Sequence, residues 1–105
     1  MADCEALIKN YLPMTEQGFL LLNSLCQERH GYGIMQHVQE LTDGRINLGS
    51  GTVHTLLYKM EHDGLIHTVR EEDRRKIYHI TKEGRIVLQA EAKRLCQLAE
   101  IAAQI

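Results

Sequence analysis

Two short stretches gather the side chains with the clearest chemical potential. Ser50, Gly51 and Thr52 lead into His54, Thr55, Lys59 and His62, which share one face with Thr52 at helical spacing, and Tyr58 lies near its boundary. Val53, Leu56, Leu57 and Met60 fall on the opposite face. Short donors and acceptors on an exposed helix suit the edges of bases, and hydroxyls and free N–H groups at its start suit phosphates. The second stretch holds Arg70, Arg74, Arg75 and Lys76. Cations there could reach phosphates, or the minor groove, beside a helix lying in the major groove. Glu71, Glu72 and Asp73 stand between them, so acids come first and bases second. Lys76 could equally pair with Glu71 across two strands. Each stretch also has a plain structural reading, with Ser50 as a helix cap and the charged residues as solvated surface.

Other chemistries find less support. No nucleophile with a base, no phosphate loop followed by lysine and no acidic pair in a cleft is visible, so an enzyme is not expected. Six histidines and three cysteines raise the question of a metal, but no pair has zinc-motif spacing. No metal and no cofactor is therefore expected. Cys4, Cys26 and Cys96 are odd in number and far apart, which reads as reduced thiols rather than a disulfide framework. Cys4 and Cys96 could meet as a redox-responsive pair if the terminal helices pack together; a small buried thiol is the commoner outcome.

The chain has 105 residues, enough for one domain. Hydrophobic residues at 44% and charged residues at 25% make an ordinary globular balance and argue against disorder. A net charge of -2 gives no whole-surface attraction to nucleic acid, so any such binding needs a local patch. No apolar run approaches the roughly 20 residues of a membrane span. The start, Met1-Ala2-Asp3-Cys4-Glu5, lacks the features of a secretory leader, and a cytoplasmic protein without membrane partners is expected.

Glycines and one proline divide the chain into elements. Leu7, Ile8, Tyr11 and Leu12 share a face of a first helix over 3–12, ended by Pro13. A second helix, over 15–28, has Thr15 as N-cap and a stripe of Phe19, Leu20, Leu22 and Leu25, broadened by Leu21 and Cys26 and stopped by Gly31. A third, over 32–42, buries Ile34, Met35, Val38 and Leu41. Residues 46–48 make at most a minimal strand. Ser50 caps the fourth helix and Gly64 ends it. Strands over 65–70 and 76–80 flank a charged tip at 71–75, a β-hairpin. A final helix over 81–105 would be about 36 Å long, with Gly84 weakening its start by about 1 kcal/mol relative to alanine. Its apolar rows, Leu88, Ala92, Leu95, Ala99, Ala102 and Leu95, Leu98, Ala102, Ile105, have coiled-coil spacing. The second, third and fourth helices, the hairpin and the final helix, in this order, make a winged helix-turn-helix, mainly α with a small β-hairpin and a long C-terminal dimerisation helix.

The residues themselves resemble the PadR family of transcriptional regulators. The resemblance rests on Gly31-Tyr32-Gly33-Ile34, Leu48 to Val53, Leu57 to Ile66 and Arg74 to Arg85, and runs from about 15 to 88. The length matches the shorter subfamily, which has a single C-terminal helix. His54 stands where the family usually carries tyrosine, and Thr55 where it often carries proline or arginine. The resemblance implies a repressor that binds double-stranded DNA, a palindromic operator, as a homodimer. Residues 1–81 would be the DNA-binding domain and 82–105 the dimerisation helix, one structural unit with the N-terminal helix. Ser50, Thr52, His54, Thr55, Tyr58, Lys59, Arg74 and Arg75 would contact DNA. Leu88, Leu95, Leu98, Ala102, Ile105, Leu7 and Tyr11 would build the dimer. The family also implies a possible small-molecule effector. A planar one would want an aromatic platform, for which Tyr11 and Phe19 are the nearest candidates and both are expected in the core. The alternative is a winged-helix module that binds a protein and has lost DNA binding, kept open by the low positive charge and by the altered pair His54 and Thr55.

Overall fold

The computed structural model describes residues 3–105. Its elements are α1 (Cys4–Tyr11), α2 (Glu16–Ser24), α3 (Gly31–Leu41), α4 (Ser50–His62), β1 (Ile66–Glu72), β2 (Arg75–Ile80) and α5 (Lys82–Ala102). This is a winged helix-turn-helix with a long C-terminal helix. α3 and α4 form the helix pair, and the β1–β2 hairpin is the wing.

Side chains start most of the helices. Asp3 accepts from the N–H of Glu5, Thr15 from Gly18 and Thr81 from Gly84, each satisfying an orphan donor of the first turn. Pro13 ends α1 as expected, with Leu12 in the extended region.

α2 is shorter than its apolar pattern suggests. It stops at Ser24 because the chain beyond must leave the helix and reach the wing. The N–H of Ile80 donates to the carbonyl of Leu25 at 2.8 Å, and Arg29 exchanges two backbone hydrogen bonds with Tyr78. The bridge onto the wing is therefore made at Arg29, whereas residues 46–48 form no strand. Gly31 does not stop α2 either; it is the first residue of α3, capped by His30.

The core is built from Leu21, Leu22, Leu25, Ile34, Val38, Leu48, Val53, Leu57, Met60, Leu65, Ile66, Ile80, Val87 and Leu88. α2 packs against α3, α4 and α5, so its buried face is wide and centres on Leu21 and Leu22. Phe19 and Leu20, expected inside, lie half-buried at the edge. Leu41 was expected to be buried and is exposed, because it ends α3 beyond the packed turns.

The wing's strands run further than the charged tip suggests. Pairing continues through Glu71 with Lys76 and Glu72 with Arg75, and Val69 bulges out of register. Only Asp73 and Arg74 turn the chain, both with positive φ (49° and 64°), as a two-residue hairpin turn demands. The opposed acids and bases favour this register.

α5 contains a feature that its periodicity does not announce. Glu91 is 1% exposed. One of its oxygens accepts from the backbone N–H of Met14 at 2.8 Å, and the carboxylate takes Arg94 in a bidentate pair at 2.5 and 3.0 Å. The Arg94 pair, reinforced by the Met14 donor and opposed by burial, holds the carboxyl below its ordinary 4.5. Glu91 thus fastens the α1–α2 connection to α5. Glu91→Gln is expected to lower stability at pH 7 by about 2 kcal/mol in urea unfolding. A depressed folded-state pKa stabilises above the unfolded value. The gap to wild type should accordingly persist above pH 4.5 and close as pH falls through the folded-state value. A gap independent of pH would show that charge is irrelevant there.

Candidate nucleic-acid interface

The start of α4 is open. Gly49, not Ser50, occupies the N-cap position and supplies no side-chain cap. Ser50 is the first helical residue, so its hydroxyl is not consumed in capping as expected. The first α4 amide bonded back along the chain is Val53, to the carbonyl of Gly49. The N–H groups of Ser50, Gly51 and Thr52 precede it, and all three residues are exposed. Such a helix start attracts an anion. Thr52, His54, Thr55, Tyr58 and Lys59 follow on the exposed face, while Val53, Leu57 and Met60 are buried beneath it.

The far end of that face is tied to α1. Lys59 donates to Asp63 at 2.9 Å and sits 4.9 Å from the centre of the Tyr11 ring. Tyr11 donates its hydroxyl to the same Asp63 at 2.5 Å. That hydrogen bond, with Lys59, holds the Asp63 carboxyl below its usual range, and burial with Asp63 beside it pushes the Tyr11 hydroxyl up. Lys59 is therefore partly engaged within the protomer. Tyr11, which is half-buried, ties α1 to the end of α4 through this hydrogen bond.

The wing's cations divide into two groups. Arg70 is held by Glu28 and by Glu72, the latter at 2.6 Å, so its charge is locally neutralised. Arg74, Arg75 and Lys76 make no ion pair among the described residues. These three border a cleft of about 650 Å³ between the wing, α4 and the start of α3. Ser50 and His54 enter it from α4. Four of the expected contact residues, Ser50, His54, Arg74 and Arg75, thus surround one concavity. Thr52, Thr55, Tyr58 and Lys59 are not among its walls; they stand on the exposed helix face outside it. Sequence reasoning missed His30, Tyr32 and Tyr78 in the cleft, although the Gly31-Tyr32-Gly33 run sits beside two of them.

The family model of the transcriptional regulator PadR-like family matches residues 20–90. The chain belongs to this family. The matched segment runs from the middle of α2 to the first half of α5. Among solved structures, the PadR chain resembles a transcriptional regulator from Clostridium thermocellum, with TM-score 0.75 and 20% identity, covering 95% of this chain and 94% of that one. A PadR family transcription regulator from Clostridium difficile gives TM-score 0.71 and 23% identity, covering 86% and 97%. A PadR-like transcriptional regulator from Bacillus cereus gives 0.70 and 19%, covering 94% of each chain. At these identities the likeness concerns the fold. No curated protein matches the chain.

Three further observations bear on alternative readings. No three His, Cys, Asp or Glu side chains among the described residues are grouped to hold a metal ion. Cys4 and Cys26 are half-buried free thiols, and Cys96 is exposed. No helix among the described residues is long and apolar enough to cross a membrane.

Proposed function

We propose that this PadR-like regulator is a repressor that binds a palindromic operator in double-stranded DNA as a homodimer. The observation that carries the reading is the cleft itself. Unpaired Arg74, Arg75 and Lys76 face the open start of α4 across it, with His54 alongside. A helix in the major groove and a wing on the flanking backbone need that juxtaposition. Ser50, Thr52 and the wing arginines would hold the backbone. His54, Thr55 and Tyr58 would face bases, and Lys59 would act at the far end once released from Asp63.

Residues 1–81 would serve as the DNA-binding part and 82–105 as the dimerisation helix. Support for the dimer comes from the outer half of α5, where Leu95, Leu98 and Ile101 are exposed, and from the exposed Ile105 just beyond it. Leu88, expected among them, is buried in the protomer's own core, since α5 packs on α2 there, and is not available to a partner. Leu7 is half-buried. Two such protomers would present α4 helices roughly 34 Å apart, one turn of duplex.

The test is a salt-dependent gel shift with the region upstream of its own gene, together with a reporter driven from that region. Retention that weakens with salt, and repression of the reporter, are expected. A folded dimer that retains no duplex at low salt would favour a protein-binding module instead. Arg74→Ala with Arg75→Ala should weaken binding to all sequences alike and lower the salt slope by about two. His54→Ala or Thr55→Ala should change which sequences are preferred. An unaltered salt slope in the double arginine variant would remove the wing from the interface.

A further inference from the structure

His30 reaches the same cleft from the start of α3, and its two ring nitrogens have different occupations. Nδ1 accepts the N–H of Gly33 at 3.0 Å and so caps the helix. A nitrogen that accepts carries no proton, so the ring is neutral and its proton sits on Nε2. Nε2 lies 3.4 Å from Nη1 of Arg75. A guanidinium has donors only. Two donors therefore converge, and no protein acceptor among the described residues is shared between them. The nearby Glu72 carboxylate does not fill the gap, because it takes Nε of Arg70, and Asp73 forms no ion pair with Arg75. Tyr32, stacked 6.5 Å from the imidazole at an interplanar angle of 21°, flanks the ring.

We propose that His30 is a further phosphate-binding residue, donating Nε2–H to the same backbone phosphate of duplex DNA that Arg75 holds. This rests on the DNA-binding reading above. An anion with more than one free oxygen, entering from the open side of the cleft, would give each donor its own acceptor and meet the guanidinium's charge. A phosphodiester crossing from the start of α4 to the wing meets that need, because Ser50, Arg74 and Lys76 border the same space. His30 would then do two jobs with one ring: it fixes α3 through Nδ1 and grips the backbone through Nε2. Its contact differs in kind from that of Arg75. A neutral donor displaces no counterion, whereas the guanidinium does.

The test measures anisotropy of a labelled duplex from the region upstream of its own gene over a range of salt concentrations. His30→Asn keeps a capping oxygen where Nδ1 lies and removes the outer donor, so the melting temperature should be unchanged. Affinity should fall about tenfold with the salt slope preserved. Arg75→Gln should lose affinity and also about one unit of slope. His30→Ser, another capping residue without an outer donor, should repeat the loss and serves if the Asn variant melts early. Binding of a folded His30→Asn protein within twofold of wild type would overturn the assignment. Failure of the wild type to bind any duplex would instead fault the DNA-binding reading.

Discussion

Gly84→Ala is expected to destabilise the protein by about 3 kcal/mol, against a total of roughly 5–15 kcal/mol for a domain of this kind. Helix propensity alone points the other way, since alanine inside a helix is favoured over glycine by about 1 kcal/mol. Packing reverses the sign. A Cβ at Gly84 would lie 2.0 Å from the carbonyl oxygen of Leu65 and 2.7 Å from Cγ1 of Ile80. Neither neighbour can give way cheaply. The Leu65 carbonyl accepts the N–H of Thr81 at 2.9 Å, and the Thr81 hydroxyl donates to the carbonyl of Gly64 at 2.6 Å while accepting from the N–H of Gly84 at 3.0 Å. Ile80 is a core residue. The added methyl must therefore drive the start of α5 off the junction of α4 and the wing. Urea unfolding should show the loss, and the melting temperature should drop by about 15 °C. Gly51→Ala is the matched control: nothing lies within 4 Å of its Cβ position, and its backbone needs no positive φ. That variant should be as stable as wild type or slightly more so. Equal midpoints for the two variants would refute the packing argument.

Gly84 illustrates which parts of this fold were readable from the sequence. Periodicity, caps and breakers act over a few residues, and they place α1, α3, α4, the wing and α5 in order. The winged helix-turn-helix and four residues of the cleft, Ser50, His54, Arg74 and Arg75, follow from that local information. What failed depends on contacts between distant segments. α2 ends early because Arg29 must pair with Tyr78. Glu91 looks like one more charged residue on an amphipathic helix until the N–H of Met14 is found against it. The hydrogen bond from Tyr11 to Asp63 joins residues 52 positions apart and has no local signal. His30 reads as an isolated histidine, because its partner Arg75 is 45 positions away. The assignment of Ser50 as N-cap failed for a local reason: Ser50 and Gly49 are both acceptable caps, and the backbone chose the glycine.

The second large effect concerns α5 and separates dimerisation from folding. Periodicity alone groups Leu88 with Leu95, Leu98 and Ile105, but the structure divides the row. Leu88 faces the protomer's core, whereas Leu98 is 47% and Ile101 59% exposed. An aspartate at Leu98 therefore meets water in the isolated protomer and a desolvated apolar seam in the proposed dimer. Leu98→Asp is expected to sediment as a monomer with helicity and melting behaviour close to those of the wild-type protomer. Leu88→Asp should unfold, because its carboxylate would be buried without a partner. Loss of the dimer should act on DNA through effective concentration. Two linked recognition helices bind the second half-site as an intramolecular step, so separating them should lower affinity for a full palindromic site by at least about 100-fold. Affinity for a single half-site should stay within a few-fold of wild type, since α4, the wing and the cleft are untouched. If Leu98→Asp remained dimeric, or if the monomer held the full site as tightly as wild type does, the outer half of α5 would not be the element that pairs the two α4 helices.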